Sequence, residues 1–431
     1  MPEDTSTVDG YTALHWAVEN SDLEMVLLLL ESNADVNKVA SFDTHMGVTP
    51  LHLASQDGYS DIAAALLATP TCKKNPVKST QNRENITPLH QAAYNNHLET
   101  VRVLVENDCD VNIQADNGYT ALHYAAQEGN FEMTEMLIAN GSELDLVASA
   151  KEQRNVTALH LAVQSGNQNV VRILVESGAT IDAGKTMGNI EEVTALHQAV
   201  YQEKFEVVTT LLDLGADVNA AMGTWYTSLH VAAEKGSGSI VELLLKSGAE
   251  IDVRASHGDH MDLTPLHVAA QHGHAGLVCL LVEAGADIRA VRRFSDRSKI
   301  TALHLATENG FIDAVKELLN LGCDKDAQDS MGFTSLHLAV QYSFEEIVDV
   351  LLNAGCNTEL TTTAGYTALR IAEQQEDYNS SRMIKERQRT SVTQAKFSTL
   401  GRDLTPEEKS KKKSKRVKGK GLLCGFGKAE N

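Results

Sequence analysis

The chain has 431 residues, with 37 basic and 58 acidic side chains and a formal net charge of −21. That balance argues against non-specific nucleic-acid binding and favours partners with basic surfaces, although charge also keeps an extended surface soluble. Apolar runs such as residues 25–30 are far below the roughly 20 residues a membrane helix needs.

In chain order, the sequence opens on a polar, acidic stretch (residues 1–10) that does not read as a signal peptide. The word Thr-x-Leu-His then starts at Thr12 and returns at Thr49, Thr87, Thr120, Thr157, Thr194, Thr227, Thr264, Thr301 and Thr334; an eleventh copy at Thr367 ends in Arg370. Self-similarity at this period means one small unit stacked many times. Residues 116–145 show the unit. Asn117-Gly118 marks a turn. Thr120 stands where a helix N-cap belongs, and Pro50, Pro88 and Pro265 follow the Thr of three other units at the first helical position. A short apolar helix (Leu122, Ala125, Ala126) stops at Gly129; a second (Met133, Met136, Leu137, Ile138) stops at Gly141. Neither helix can bury its apolar face alone, so neighbouring units must supply the core.

The steps between the Thr residues are uneven in a regular way: 37, 38, 33, 37, 37, 33, 37, 37, 33 and 33 residues. Two long units and a short one recur, as expected of a duplicated three-unit block. The extra residues of long units fall between the helix pair and the next Thr, at 38–48, 76–86, 146–156, 182–193, 252–263 and 289–300. Insertions at one place in each unit map to one face, often the binding face.

These words resemble the ankyrin-repeat signature Thr-Pro-Leu-His-x-Ala over about residues 5–389. The resemblance implies a mainly α fold: a solenoid of helix pairs with β-hairpin fingers, closed by a cap unit at about 364–389. It implies a non-catalytic, intracellular protein–protein interaction scaffold or adaptor that binds on its concave and finger face. The alternatives are a nuclear or signalling regulator that masks a partner, and an adaptor tethered at a membrane surface. A monomer is expected, with no cofactor, no metal and no catalytic residue; no phosphate loop or nucleophile elbow is present. Ten of the sixteen His belong to the repeated word and are expected to link neighbouring turns. His257, Asp259, His260 and Asp262 share one finger with zinc-compatible residue types, yet His274 nearby matches the ordinary Gly-His turn of the repeat.

For partner contacts the candidates are Tyr94 and Tyr201 at the ends of first helices, Trp225 and Tyr226 in a short finger, and the basic finger with Arg292, Arg293 and Phe294. Aromatic residues are favoured interface anchors, while the arginines suit an acidic partner or acidic neighbours in the stack. The resemblance also marks Asn37, Asn112 and Asn219, each with Leu eight residues earlier, as hydroxylation contexts. Cys72, Cys109, Cys323 and Cys356 share one repeat position and read as small buried residues with reduced thiols.

The eleventh unit is polar, with Ser380 and Ser381 where Ile347 and Val348 stand in the tenth, and reads as a cap with a polar outer face. From 390 the repeat pattern ends, and a disordered basic tail is expected. Residues 381–431 hold 15 basic and 5 acidic side chains against 22 and 53 in the remainder. Lys411, Lys412, Lys413, Lys415 and Arg416 read as a nuclear signal, as a membrane-surface patch aided by an acylated Cys424, or as a solvated charge run. Ser410 and Ser414 are candidate phosphorylation sites that would cut the tail's charge. A cytoplasmic chain is expected, with nuclear or membrane-peripheral placement as the tail's alternatives. If the histidine finger holds no metal, chelator treatment of the purified chain leaves its thermal midpoint unchanged.

Overall fold

A computed structural model describes residues 7, 9–42, 45–80, 83–150, 152–223, 225–257 and 260–400. These form 22 helices and 14 short strands, grouped in two compact parts, Met1–Asp296 and Arg297–Asn431. The first part carries the helix pairs of repeats one to eight, and the second those of repeats nine to eleven.

Each repeat begins with a Thr in extended conformation, such as Thr157 at φ −92 and ψ 167, followed by a helix of seven or eight residues. Helices this short are not stable alone in water. In ten repeats the Thr side chain and the His three residues on cap each other's backbone N–H groups. The Thr157 N–H donates to His160 Nδ1 at 3.3 Å. Nδ1 is therefore an acceptor, which leaves the proton on Nε2. In most of these repeats Nε2–H then donates to the carbonyl just before the next repeat's Thr: His160 to Val193 O at 3.1 Å, His123 to Val156 O at 3.2 Å and His230 to Leu263 O at 2.9 Å. Leu159, Ala162 and Val163 of a first helix pack with Val170, Val171 and Leu174 of its second, all nearly inaccessible to solvent.

All six long stretches carry two strands each, as the insertions predict. Their pairing adds something the insertions do not show. Within the first part, consecutive long fingers join edge to edge: Met46 lies opposite Ser79, Gln153 opposite Met187, and Met261 opposite Arg293. The two long fingers of a block thus form one small antiparallel sheet, and the short finger follows. Two residues before every one of the eleven Thr, the backbone is left-handed: Gly10, Gly47, Asn85, Gly118, Asn155, Glu192, Trp225, Asp262, Lys299, Gly332 and Gly365 all have φ between 56 and 80. Gly and Asn tolerate this region most readily.

Two expectations for the last repeat change. Ser380 and Ser381 are not on an outer face; they are 0% and 8% exposed, in the packing positions of Ile347 and Val348. Neither hydroxyl has a hydrogen-bond partner, so this repeat loses apolar packing on its inward side. The last helix also runs to Leu400, well past residue 389. No Gly or Pro interrupts residues 378–400, and adding residues to a formed helix is far easier than starting one. Residues 401–431 lie outside the described residues.

Desolvation holds the linking imidazoles neutral, lowering His90, His123, His160, His197 and His230 to about 4 and His52 to about 3, against about 6.5 in an unfolded chain. Between pH 6.5 and 4 the unfolded state therefore binds more protons. The stability these groups contribute is complete above pH 6.5 and is lost as pH falls through that window, at about 1.4 kcal/mol per pH unit for each His. The urea midpoint should fall steeply between pH 7 and 5, and His160→Gln should reduce that slope; a flat profile would contradict the neutral-imidazole link.

Candidate functional site

The described surface has a groove between fingers and first helices across repeats five to eight, with a cavity volume of about 780 Å³. Its walls include Met187, Ile190, Val193, Met222, Val231 and Val268. Lys185, the first residue of strand Lys185–Met187, also lines it and is 2% exposed. Nζ donates to Gln153 Oε1 at 3.1 Å and to Gln198 Oε1 at 2.5 Å, both uncharged. Burial lowers the Lys185 ammonium to about 8. The position recurs one block away in each direction: Lys78 is 2% exposed and Arg292 4%. Burial lowers Lys78 to about 8 as well, although the Asp57 carboxylate acts in the opposite direction. The sequence reading missed this set; the 107-residue block period was the signal that could have found it.

Repeats six and seven depart from the pattern that most repeats keep. His197 Nε2 is buried and lacks the well-aligned hydrogen bond of the other rings, although the Ala220 and Tyr226 carbonyls still face it. In the pattern of the other short fingers its acceptor would be Tyr226 O, as Tyr119 O is for His90. Tyr226 follows Trp225, which occupies the left-handed position at φ 69 where every other short finger has Gly. A Cβ at Gly118 would meet Val147 O at 2.6 Å, so this finger must take a different path to hold a side chain there. Trp225 is 70% exposed; its indole therefore gains little from burial to offset the strain.

The other candidates are distributed as follows. Tyr94 and Tyr201 are about half exposed. Tyr94 meets the Tyr124 ring edge-on at 5.5 Å, and Lys235 Nζ sits 3.7 Å over the Tyr201 ring. Tyr226 is mostly occupied internally: its hydroxyl donates to Glu234 at 3.0 Å, and burial with that carboxylate raises its pKa. The basic finger is not a uniform cationic surface. Arg292 is buried, 5.8 Å from the Phe294 ring, and Arg293 pairs with Asp262 at 2.9 Å; partial exposure remains at Phe294. The groove brings Tyr201 and Tyr226 together, while Tyr94 lies three repeats earlier.

Asn37, Asn112 and Asn219 each use both amide atoms to reach the next repeat; Asn112, for example, donates to Gly141 O and accepts from Glu143 N. Burial raises the thiols of Cys72 to about 11 and of Cys109, Cys323 and Cys356 to about 12, which disfavours the reactive thiolate. In the histidine finger, Asp262 is held by Arg254 and Arg293; the side chains of His257, Asp259 and His260 lie outside the described residues. His274 Nε2 bonds Glu234 O at 2.9 Å, the turn role its position suggests. Ser410, Lys411, Lys412, Lys413, Ser414, Lys415, Arg416 and Cys424 also lie outside the described residues.

A family model described as Ankyrin repeats (3 copies) matches residues 2–78, 70–148, 146–222, 222–292 and 290–363. The chain belongs to the ankyrin-repeat family. Over 65 residues it is 43% identical to Protein phosphatase 1 regulatory subunit 27 of Mus musculus, 15% of this ankyrin-repeat chain and 40% of that relative. Over 105 residues it is 32% identical to Alpha-latrocrustotoxin-Lt1a of Latrodectus tredecimguttatus, 24% of this chain and 7% of the toxin. The crystal structure of the human ASB11 ankyrin repeat domain aligns with 55% of this chain and 98% of its own, at 25% identity and a TM-score of 0.45. This chain thus spans well under two thirds of the length of these curated relatives.

Because Gly is at ease at φ 69 and a bulky residue is strained there by about 1–2 kcal/mol, Trp225→Gly should stabilise the ankyrin-repeat chain by about 1 kcal/mol. Denaturant unfolding of the two proteins checks this; a destabilised variant would show that Trp225 contributes to the fold.

Proposed function

We propose that this protein is a non-catalytic scaffold or adaptor that binds other proteins along the fingers and the first-helix ends. Ankyrin repeats generally mediate protein–protein interaction, and the fold is typically a non-enzymatic module. The observation that carries the reading is Trp225, a bulky aromatic held exposed in a left-handed conformation. Strained residues cluster at functional sites, and folding gains little from this one. Tyr94 and Tyr201 support the reading, because exposed aromatics at the same repeat position suit interface anchors. The acidic body supports basic-surfaced partners, whose approach it would accelerate. The name of the phosphatase regulatory subunit is consistent with repeats of this kind serving as a binding surface.

The test compares proteins captured by the full chain with those captured by a Tyr94→Ser, Tyr201→Ser, Trp225→Ser variant of unchanged thermal midpoint. If each anchor contributes about 2 kcal/mol, binding of the captured set should fall at least a hundredfold by titration. Undiminished binding by the variant would place the partner surface elsewhere.

A further inference from the structure

The groove over repeats five to eight has one feature that protein binding in general does not require. Lys185 is a buried cation whose named acceptors, Gln153 and Gln198, are both neutral. Buried charges are ordinarily paired with an opposite charge. The two equivalent positions have compensation at hand: Asp57 acts on Lys78, and Arg292 lies against the Phe294 ring. At Lys185 burial acts without an opposing carboxylate. A second donor lines the same cavity: His197 Nε2–H, on a residue 1% exposed, which faces the Tyr226 and Ala220 carbonyls without the well-aligned bond of the other rings. The remaining walls combine apolar side chains with polar ones, including one carboxylate, Glu234, which accepts from the Tyr226 hydroxyl. In the chain, exposed Trp225 lies between the lining residues Gly223 and Tyr226, so its backbone runs along the groove's edge.

Building on the protein-binding reading above, we propose that this groove receives an extended peptide segment, which sets one side-chain carboxylate against Lys185 and an apolar side chain against the Met187–Met222 wall. Lys185 supplies the charge, so the carboxylate pairs a buried cation that the fold leaves without one, and His197 in the same cavity is a weakly bonded second donor. The apolar neighbour fills the cavity, and Trp225 covers the segment from the rim. The acidic character of the chain does not oppose this. At physiological salt, exposed charges are screened over about 8 Å, whereas contact with a buried ammonium is screened far less. The surrounding acidity instead restricts the segment to a single carboxylate, because others would meet like charge.

The probes are three pools of N-acetylated, C-amidated decapeptides with Leu-Ala-Glu, Leu-Ala-Gln or Leu-Ala-Lys at the centre and random residues other than Asp and Glu elsewhere. The blocked ends leave side chains as the only carboxylates. Passed over the immobilised full chain, the Glu pool should be retained at least tenfold more than the Gln and Lys pools. Lys185→Met should abolish that preference with the unfolding midpoint unchanged or raised, because an apolar side chain of similar length removes a buried charge. Trp225→Gly should lower retention of the Glu pool several-fold in a protein at least as stable. Absence of a Glu preference, or a preference that survives Lys185→Met, overturns the site. If Lys185→Met fails to fold, undiminished retention by Trp225→Gly overturns it instead. Either failure leaves the capture experiment with the three aromatic substitutions standing by its own result, so the loss of this site and the loss of the protein-binding reading are distinguishable.

Discussion

The hydrogen bond from a buried imidazole to the backbone of the following repeat is the constraint on which the described structure depends. A first helix of seven or eight residues cannot hold its own shape. Its Thr and His close the helix start, and the other ring nitrogen reaches the chain just ahead of the next Thr. One side chain thereby fixes a helix terminus, a tautomer and a distance between repeats. Because the ring must be dry and neutral to do so, the link is tied to burial. The apolar residues around it supply that burial, so hydrophobic packing and the polar ladder depend on each other.

Against this regular frame, deviations carry information. The left-handed residue before each Thr is conformationally required in all eleven repeats, and the sequence mostly meets the requirement with Gly or Asn. Where Trp225 meets it, His197 of the same repeat keeps only poorly aligned acceptors, and the groove that His197 lines also holds Lys185. Three irregularities within two repeats, each unfavourable to folding alone, describe a region shaped by something other than stability.

The local and periodic features could be read directly. Thr capping, Gly at helix ends and the two lengths of finger follow from short words and their spacing, since each depends on residues within one repeat. The histidines were legible for the same reason, because a position occupied by His ten times has one structural explanation more readily than ten chemical ones. Long-range placement was not legible. Arg292 reads as surface charge in a basic finger but is buried. Ser380 and Ser381 read as an outer face but sit in packing positions, because a substitution at a core stripe and a polar surface look alike in composition.

The sequence alone determined the repeat, its ankyrin architecture and the long-long-short rhythm, because periodic burial and helix capping are local consequences of residue type. Only the tertiary structure decided that long fingers join in twos, which cations are buried, and where a donor keeps only poorly aligned acceptors. Those outcomes depend on atoms from different repeats meeting or failing to meet, and no single repeat contains both sides of the contact.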